Sequence, residues 1–200
     1  MMFVALLRAV NVGGKNRIPM AELRDSLEAA GYAGVRTYVQ SGNVVFGPAA
    51  GGTAGEPAEH AAALHDLIER EFGCDVGVLV FTAEKLAQLA AANPFLAGGR
   101  AAGGETASPG QKSLHVTFLE RPVEQASFGG LSLPAEPGEA AVLVAGESDL
   151  AGRGIYLQLP HGYGRTRLNN AYFERALKTA ATTRNWRTVL ALVEMSEGDA

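Results

Sequence analysis

An α+β fold in two related halves is predicted by three observations. The first half reads strand, helix, strand, strand, helix, strand. The opening strand is apolar on both faces, so both faces need cover. The second half then echoes the order of elements without repeating residues.

Phe3 to Val10 is rich in Val, Leu and Phe without helical spacing, which predicts a buried strand. Alternation places Val4, Leu6, Arg8 and Val10 on one face, so Arg8 is expected to point its guanidinium into apolar surroundings and to need an anion or carbonyls there. Gly13-Gly14 breaks the strand. Pro19 suits a first helical turn, Met20, Leu23, Leu27 and Ala30 recur at helical spacing, and Gly31 ends the helix. Val35 to Gln40 alternates as a strand, Ser41-Gly42 turns it, and Asn43 to Phe46 returns beside it. Residues 47–57 read as a soft loop, Ala58 to Phe72 as a helix and Asp75 to Phe81 as a strand. Thr82 caps a helix that Asn93-Pro94 stops. This order is ferredoxin-like.

Residues 97–111 are rich in Gly and Ala and read as a linker or mobile loop. Beyond them Leu114 to Leu119 is a strand, Val123 to Phe128 a weak helix, and Ala140 to Ala145 and Ile155 to Leu159 are strands. A helix capped by Asn169 or Asn170 carries Tyr172, Phe173, Ala176 and Leu177. Where a fourth strand is due, Arg184 to Met195 reads as a helix with Thr183 as its N-cap. The expected division is therefore a ferredoxin-like unit at 1–95, a linker at 96–111 and a related α+β unit at 112–200 ending in two helices.

With 200 residues, 47% of them apolar, the chain can bury a real core. The net charge of −4 argues against wholesale nucleic-acid binding. Residues 1–46 carry five Lys/Arg against three Asp/Glu, residues 47–150 five against fourteen, and residues 151–200 seven against four. Basic ends around an acidic middle favour an anionic ligand between the ends; ordinary surface charge produces the same pattern. The single cysteine, Cys74, excludes an intramolecular disulfide, and the short apolar run before Arg8 suits neither a signal peptide nor a membrane span, so a cytoplasmic location and no membrane partner are expected.

Leu6-Leu7-Arg8-Ala9-Val10-Asn11-Val12-Gly13-Gly14-Lys15-Asn16, with Pro19-Met20 and Leu23 after it, resembles the opening of the domain-of-unknown-function 1697 family. Tyr38-Val39-Gln40-Ser41-Gly42-Asn43-Val44-Val45-Phe46 is similar to its second signature and Thr183-Arg184-Asn185-Trp186-Arg187-Thr188-Val189 to its third. His115-Val116-Thr117-Phe118-Leu119 matches the strand that opens its second half. Thr166-Arg167 departs from an expected Ser-Lys-like pair but keeps a hydroxyl and a cation. The resemblance implies a bacterial, cytosolic α+β protein and supplies no activity.

Topology brings the loop after the first strand to the turn between the second and third. Asn11, Lys15, Asn16 and Arg17 are expected beside Gln40, Ser41 and Asn43. A glycine turn ahead of a helix can cradle phosphate, with Lys15 and Arg17 adding charge; it can equally be a tight turn tied by the Asn11 side chain. It is neither a Walker loop nor a dinucleotide fingerprint, and Gly110-Gln111-Lys112-Ser113 fails the Walker pattern too. Arg184 and Asn185 are expected at the positive end of a helix, a natural anion site. Tyr163-Gly164-Arg165-Thr166-Arg167 is a second basic loop, able to grip phosphate or to stand in solvent. His60, His65, His115 and His161 have no metal-ligand spacing, and no Gly-x-Ser-x-Gly elbow is present.

The leading expectation is a pocket between the halves for a small anionic or phosphorylated ligand, drawing on Arg8, Asn11, Lys15, Asn16, Gln40, Ser41, Asn43, Arg184 and Asn185. No metal or cofactor is called for, and whether the site is catalytic stays open. The alternatives are a nucleic-acid-binding module, ranked lower because in the first sheet only Tyr38 offers a base-stacking surface and the net charge is acidic, and an interaction or assembly module without a small ligand, of open oligomeric state.

Overall fold

Five consecutive buried residues, Phe3–Leu7, form β1, as an uninterrupted apolar run without helical spacing dictates. The computed structural model describes residues 1–49, 55–96, 110–146 and 150–198. Contacts divide the chain into two units, Met1–Ala87 with Ala191–Ala200, and Gln88–Leu190.

In the first unit β1 is followed by α1 (Met20–Ala29), β2 (Tyr32–Thr37), β3 (Asn43–Ala49), α2 (Pro57–Phe72), β4 (Val78–Thr82) and the start of α3 (Ala83–Ala91). The strand order is β2-β3-β1-β4 with every pairing antiparallel, the ferredoxin-like arrangement. Phe3, Ala5 and Leu7 of β1 pack with Leu23 and Leu27 of α1 and Leu64 and Ile68 of α2. The Phe3 ring stacks on Phe46 at 5.6 Å and lies 4.4 Å from the ring of His60. Helix α2 starts at Pro57 with the Glu56 backbone N–H donating to Glu59 Oε2 at 3.0 Å, and it stops at Gly73 in the left-handed region.

Several boundaries differ from the sequence expectation. Strand β1 ends at Leu7, because Ala9 (φ 51°) and Asn11 (φ 55°) turn the chain out of extended geometry. Arg8 is therefore not a guanidinium facing an apolar interior. It is half-buried, its backbone N–H donates to Gly77 O at 2.9 Å, and its side chain lies over Gly77, where a methyl group would stand 3.2 Å from Arg8 Cδ. Strand β2 starts earlier, at Tyr32, and β3 runs on to Ala49 through the first residues of the expected loop. The expected linker falls almost wholly at 97–109, outside the described residues.

The second unit follows a 3-10 turn, Gln111–Ser113, with β5 (Leu114–Leu119), α4 (Gln125–Gly129), β6 (Ala140–Leu143), β7 (Gly154–Gln158), α5 (Asn170–Leu177), β8 (Ala181–Asn185) and α6 (Trp186–Glu197). Its strand order is β6-β7-β5-β8, again wholly antiparallel and position for position the order of the first sheet. The expectation of two closing helices with no fourth strand is thus corrected: β8 pairs with β5 from His115↔Asn185 to Leu119↔Ala181. Leu119, Ile155, Leu157, Phe173 and Ala181 build the core beneath α4 and α5. The contact boundaries fall inside α3 and α6, so residues from Ala191 onward belong with the first unit and not with the second.

Candidate functional site

In the first unit the predicted meeting of two loops is present, and its polar groups serve the loops themselves. Gly13 (φ 61°) and Gly14 (φ 76°) sit between Val12 and Lys15, which form an isolated antiparallel bridge; this is the geometry of a two-residue turn with both central residues left-handed. The glycine pair is separated from α1 by Lys15 to Pro19, so it does not present its N–H groups at a helix start. The Asn11 side chain holds the loop closed. Its Nδ2 donates to Ile18 O at 2.9 Å and to Gln40 O at 2.8 Å, and its Oδ1 accepts from the Ile18 N–H at 2.9 Å.

The second signature docks onto the same end of the sheet. The Leu7 N–H donates to Gly42 O at 2.8 Å. A methyl group on Gly42 (φ 73°) would come within 2.5 Å of Val10 Cγ2 and 2.6 Å of Leu7 Cβ. Asn43 is fully buried, and its Nδ2 donates to Tyr38 O at 3.0 Å and Ser41 Oγ at 2.9 Å. Asn16 is half-buried, with Nδ2 donating to Ala9 O at 3.3 Å. Lys15, Arg17, Gln40 and Ser41 are exposed. Seven of the nine predicted residues thus share the first unit, and Arg184 and Asn185 lie in the second.

Arg184 and Asn185 are consecutive on β8, so they point to opposite faces. Arg184 is buried and donates from a terminal guanidinium nitrogen to Thr182 Oγ1 at 2.7 Å and Thr183 O at 3.0 Å; burial pushes its pKa down to about 10, which leaves it charged at neutral pH. Asn185 is the residue that starts α6, its Oδ1 accepting the Thr188 N–H at 2.8 Å. The expected cap, Thr183, lies inside the strand instead, bonded through its hydroxyl to Thr117 at 2.8 Å and to Asn170 Oδ1 at 2.6 Å.

On the Asn185 face the second unit contains a cavity of about 620 Å³ lined by Gly110, Gln111, Lys112, His115, Asn185 and Arg187. The β5–β8 register makes it: His115 stands opposite Asn185, the 3-10 turn before β5 brings Gln111 and Lys112, and the first turn of α6 brings Arg187. Among the described residues the lining holds two cations, two amides and an imidazole, with no carboxylate. His115 is 8% exposed and its ring stacks on Tyr163 at 5.5 Å. Desolvation lowers its pKa, opposed by the hydrogen bond to Ser113, so the ring is neutral at pH 7. Its Nδ1 lies 3.4 Å from Ser113 O. A carbonyl only accepts, so Nδ1 carries the hydrogen and Nε2 holds the lone pair. Behind the ring, Tyr163 OH donates to Thr183 Oγ1 at 3.2 Å and accepts from the Asn170 N–H at 3.2 Å.

Sequence reasoning found Asn185 and missed Lys112, His115 and Arg187 as partners. The signal available is the paired alternation of β5 and β8, which a helical reading of β8 hides. The basic loop of Tyr163 to Arg167 is tied to its own unit: Thr166 Oγ1 donates to Glu139 Oε2 at 2.9 Å and Arg167 pairs with Glu136 at 3.0 Å. Among the described residues no group of three or more His, Cys, Asp or Glu is placed to hold a metal, and no helix is long and apolar enough to cross a membrane.

Comparison with known proteins agrees with this architecture. A conserved bacterial protein, SP0830 from Streptococcus pneumoniae, has a similar solved structure, with a TM-score of 0.67 at 20% identity over 98% of each chain. No curated protein matches the sequence. Residues 1–148 match the family described as protein of unknown function, DUF1697. That match spans most of the chain, and with two antiparallel sheets of one shared strand order behind it, the chain belongs to the DUF1697 family.

Proposed function

We propose that the protein binds a small anionic ligand, phosphate or carboxylate in its charged part, in the cavity of the second unit. The observation that carries this reading is the lining: Lys112 and Arg187 stand with the Gln111 and Asn185 amides around about 620 Å³, without an acidic side chain among the described residues that line it. Lys112 supplies a point charge and Arg187 a planar fork suited to phosphate or carboxylate oxygens. The cluster around Asn11 and Asn43 in the first unit supports a weaker case for a ligand, because both side chains donate to backbone carbonyls of the two loops. A base-stacking reading is also less favoured, since Val4 and Leu6, on the face of β1 opposite α1 and α2, are fully buried.

Thermal unfolding against inorganic phosphate, organic phosphates and carboxylates tests the reading. A ligand at a hundred times its dissociation constant stabilises by about 2.7 kcal/mol, which for a chain of this size raises Tm by roughly 5–10 °C. The shift is expected to disappear in Lys112→Ala and Arg187→Ala variants whose own melting stays within about 0.5 kcal/mol of wild type, as for surface substitutions. Absence of a shift with every anion would sink the reading.

A further inference from the structure

The cavity holds far more than an anion. At about 30 Å³ per liquid water, 620 Å³ corresponds to roughly twenty waters, or a ligand of about that many non-hydrogen atoms. Lys112 and Arg187 account for one charged group. The remaining polar feature is His115, more than nine-tenths buried and lining the same cavity. Its Nδ1 hydrogen is directed to Ser113 O and its ring is fixed against Tyr163. Among the described residues Nε2 has no hydrogen-bond partner, and it is an acceptor. His115 lines the cavity, so a ligand that supplies a donor to Nε2 gains a hydrogen bond that a ligand without one does not.

We infer that the cavity takes a hydroxyl-bearing organic phosphate of sugar-phosphate to nucleotide size, with its phosphate on Lys112 and Arg187 and a hydroxyl donating to His115 Nε2. This rests on the anion-binding reading and adds the rest of the ligand. Gln111 and Asn185 contribute further amide groups around the middle of the molecule. The His115–Tyr163 stack fixes where the acceptor stands, and Tyr163 is itself held by Thr183 and Asn170.

Calorimetric titration separates the two levels. The probes are inorganic phosphate, a set of sugar phosphates and nucleoside monophosphates, and the deoxy counterparts of those that bind. Wild type is expected to bind at least one hydroxylated organic phosphate ten-fold or more tighter than inorganic phosphate and than its deoxy analogue. His115→Phe keeps a ring on Tyr163 and removes the acceptor. It is expected to lose the preference over the deoxy analogue while binding inorganic phosphate as wild type does, and His115→Gln, which restores an acceptor, is expected to regain part of it. Circular dichroism and Tm establish that each variant is folded; were His115→Phe to unfold, His115→Gln and the deoxy comparison in wild type carry the test. Equal affinity for hydroxylated and deoxy ligands, or an equal effect of His115→Phe on inorganic phosphate, overturns the inference and leaves the anion site standing. No binding of any anion overturns both.

Discussion

A methyl group at position 42 would meet Leu7 Cβ and Val10 Cγ2 well inside contact distance, on a residue whose φ of 73° already favours glycine. Steric overlap and backbone strain therefore act together, and Gly42→Ala is expected to destabilise by about 2 kcal/mol or more. Gly13 is the control. Its φ of 61° carries the same backbone cost, but nothing lies within 4 Å of an added methyl, so Gly13→Ala is expected to cost only about 1 kcal/mol. Urea unfolding of both variants measures the difference, and equal losses would mean that the clash at Gly42 relaxes. His115 adds a pH dependence with a definite sign. Its folded pKa is lowered from 6.5 by burial, so below that value the unfolded chain takes up a proton that the folded one resists. Stability is thus complete above about pH 6.5 and is lost as pH falls toward the lowered folded value. His65, half-buried and raised by its hydrogen bond to Val76, acts in the opposite sense. Comparing wild type with His115→Phe isolates the buried ring: the variant is expected to lose less stability between about pH 7 and about pH 5, and parallel losses would contradict the assignment.

At the scale of elements, β8 shows what the sequence hides. Ala181-Thr182-Thr183-Arg184-Asn185 has no apolar run, and Thr and Asn also serve as helix caps, so the segment reads as the entry to a helix. Its strand character comes from pairing with β5, a contact between residues far apart in sequence. By contrast β5 itself, six buried residues from Leu114 to Leu119, is legible at both ends. So is the meeting of Asn11 with Gln40, because crossover handedness and a hairpin determine it. The cavity was not legible. Lys112, His115 and Arg187 become neighbours only through the register that the missing strand creates. Asn185 joins the two themes, since it caps α6 and lines the cavity. Asn185→Asp keeps a capping oxygen and adds a charge that suits a helix start, so melting is expected to hold or rise slightly. The same carboxylate stands among Lys112 and Arg187, so phosphate affinity is expected to fall by about ten-fold or more. Unchanged affinity in the titration would place the anion away from Asn185.

For the whole molecule, a single strand order occurs twice, β2-β3-β1-β4 and β6-β7-β5-β8, each with a helix after its first and third strands. The sequence carries the repeat in its pattern of elements and not in its residues, so the first half is legible element by element and the second is legible but for β8. What differs between the units is chemistry. The first uses Asn11, Gly42 and Asn43 to knit two loops onto a sheet end; the second leaves Lys112, His115 and Arg187 around open space. Net charge, −4 for the chain, says little about either, because the cavity lining is local.

The contact boundaries inside α3 and α6 make the first unit discontinuous: the chain leaves it at Ala87 and returns at Ala191. During synthesis, at roughly 5–20 residues per second, the sheet of β1 to β4 emerges and then waits roughly 5–20 s before its last segment is made. Through that interval the second unit is translated in full while the first remains unfinished. The segment that completes the first unit is therefore made after the whole of the second, and the first unit reaches its final form only then.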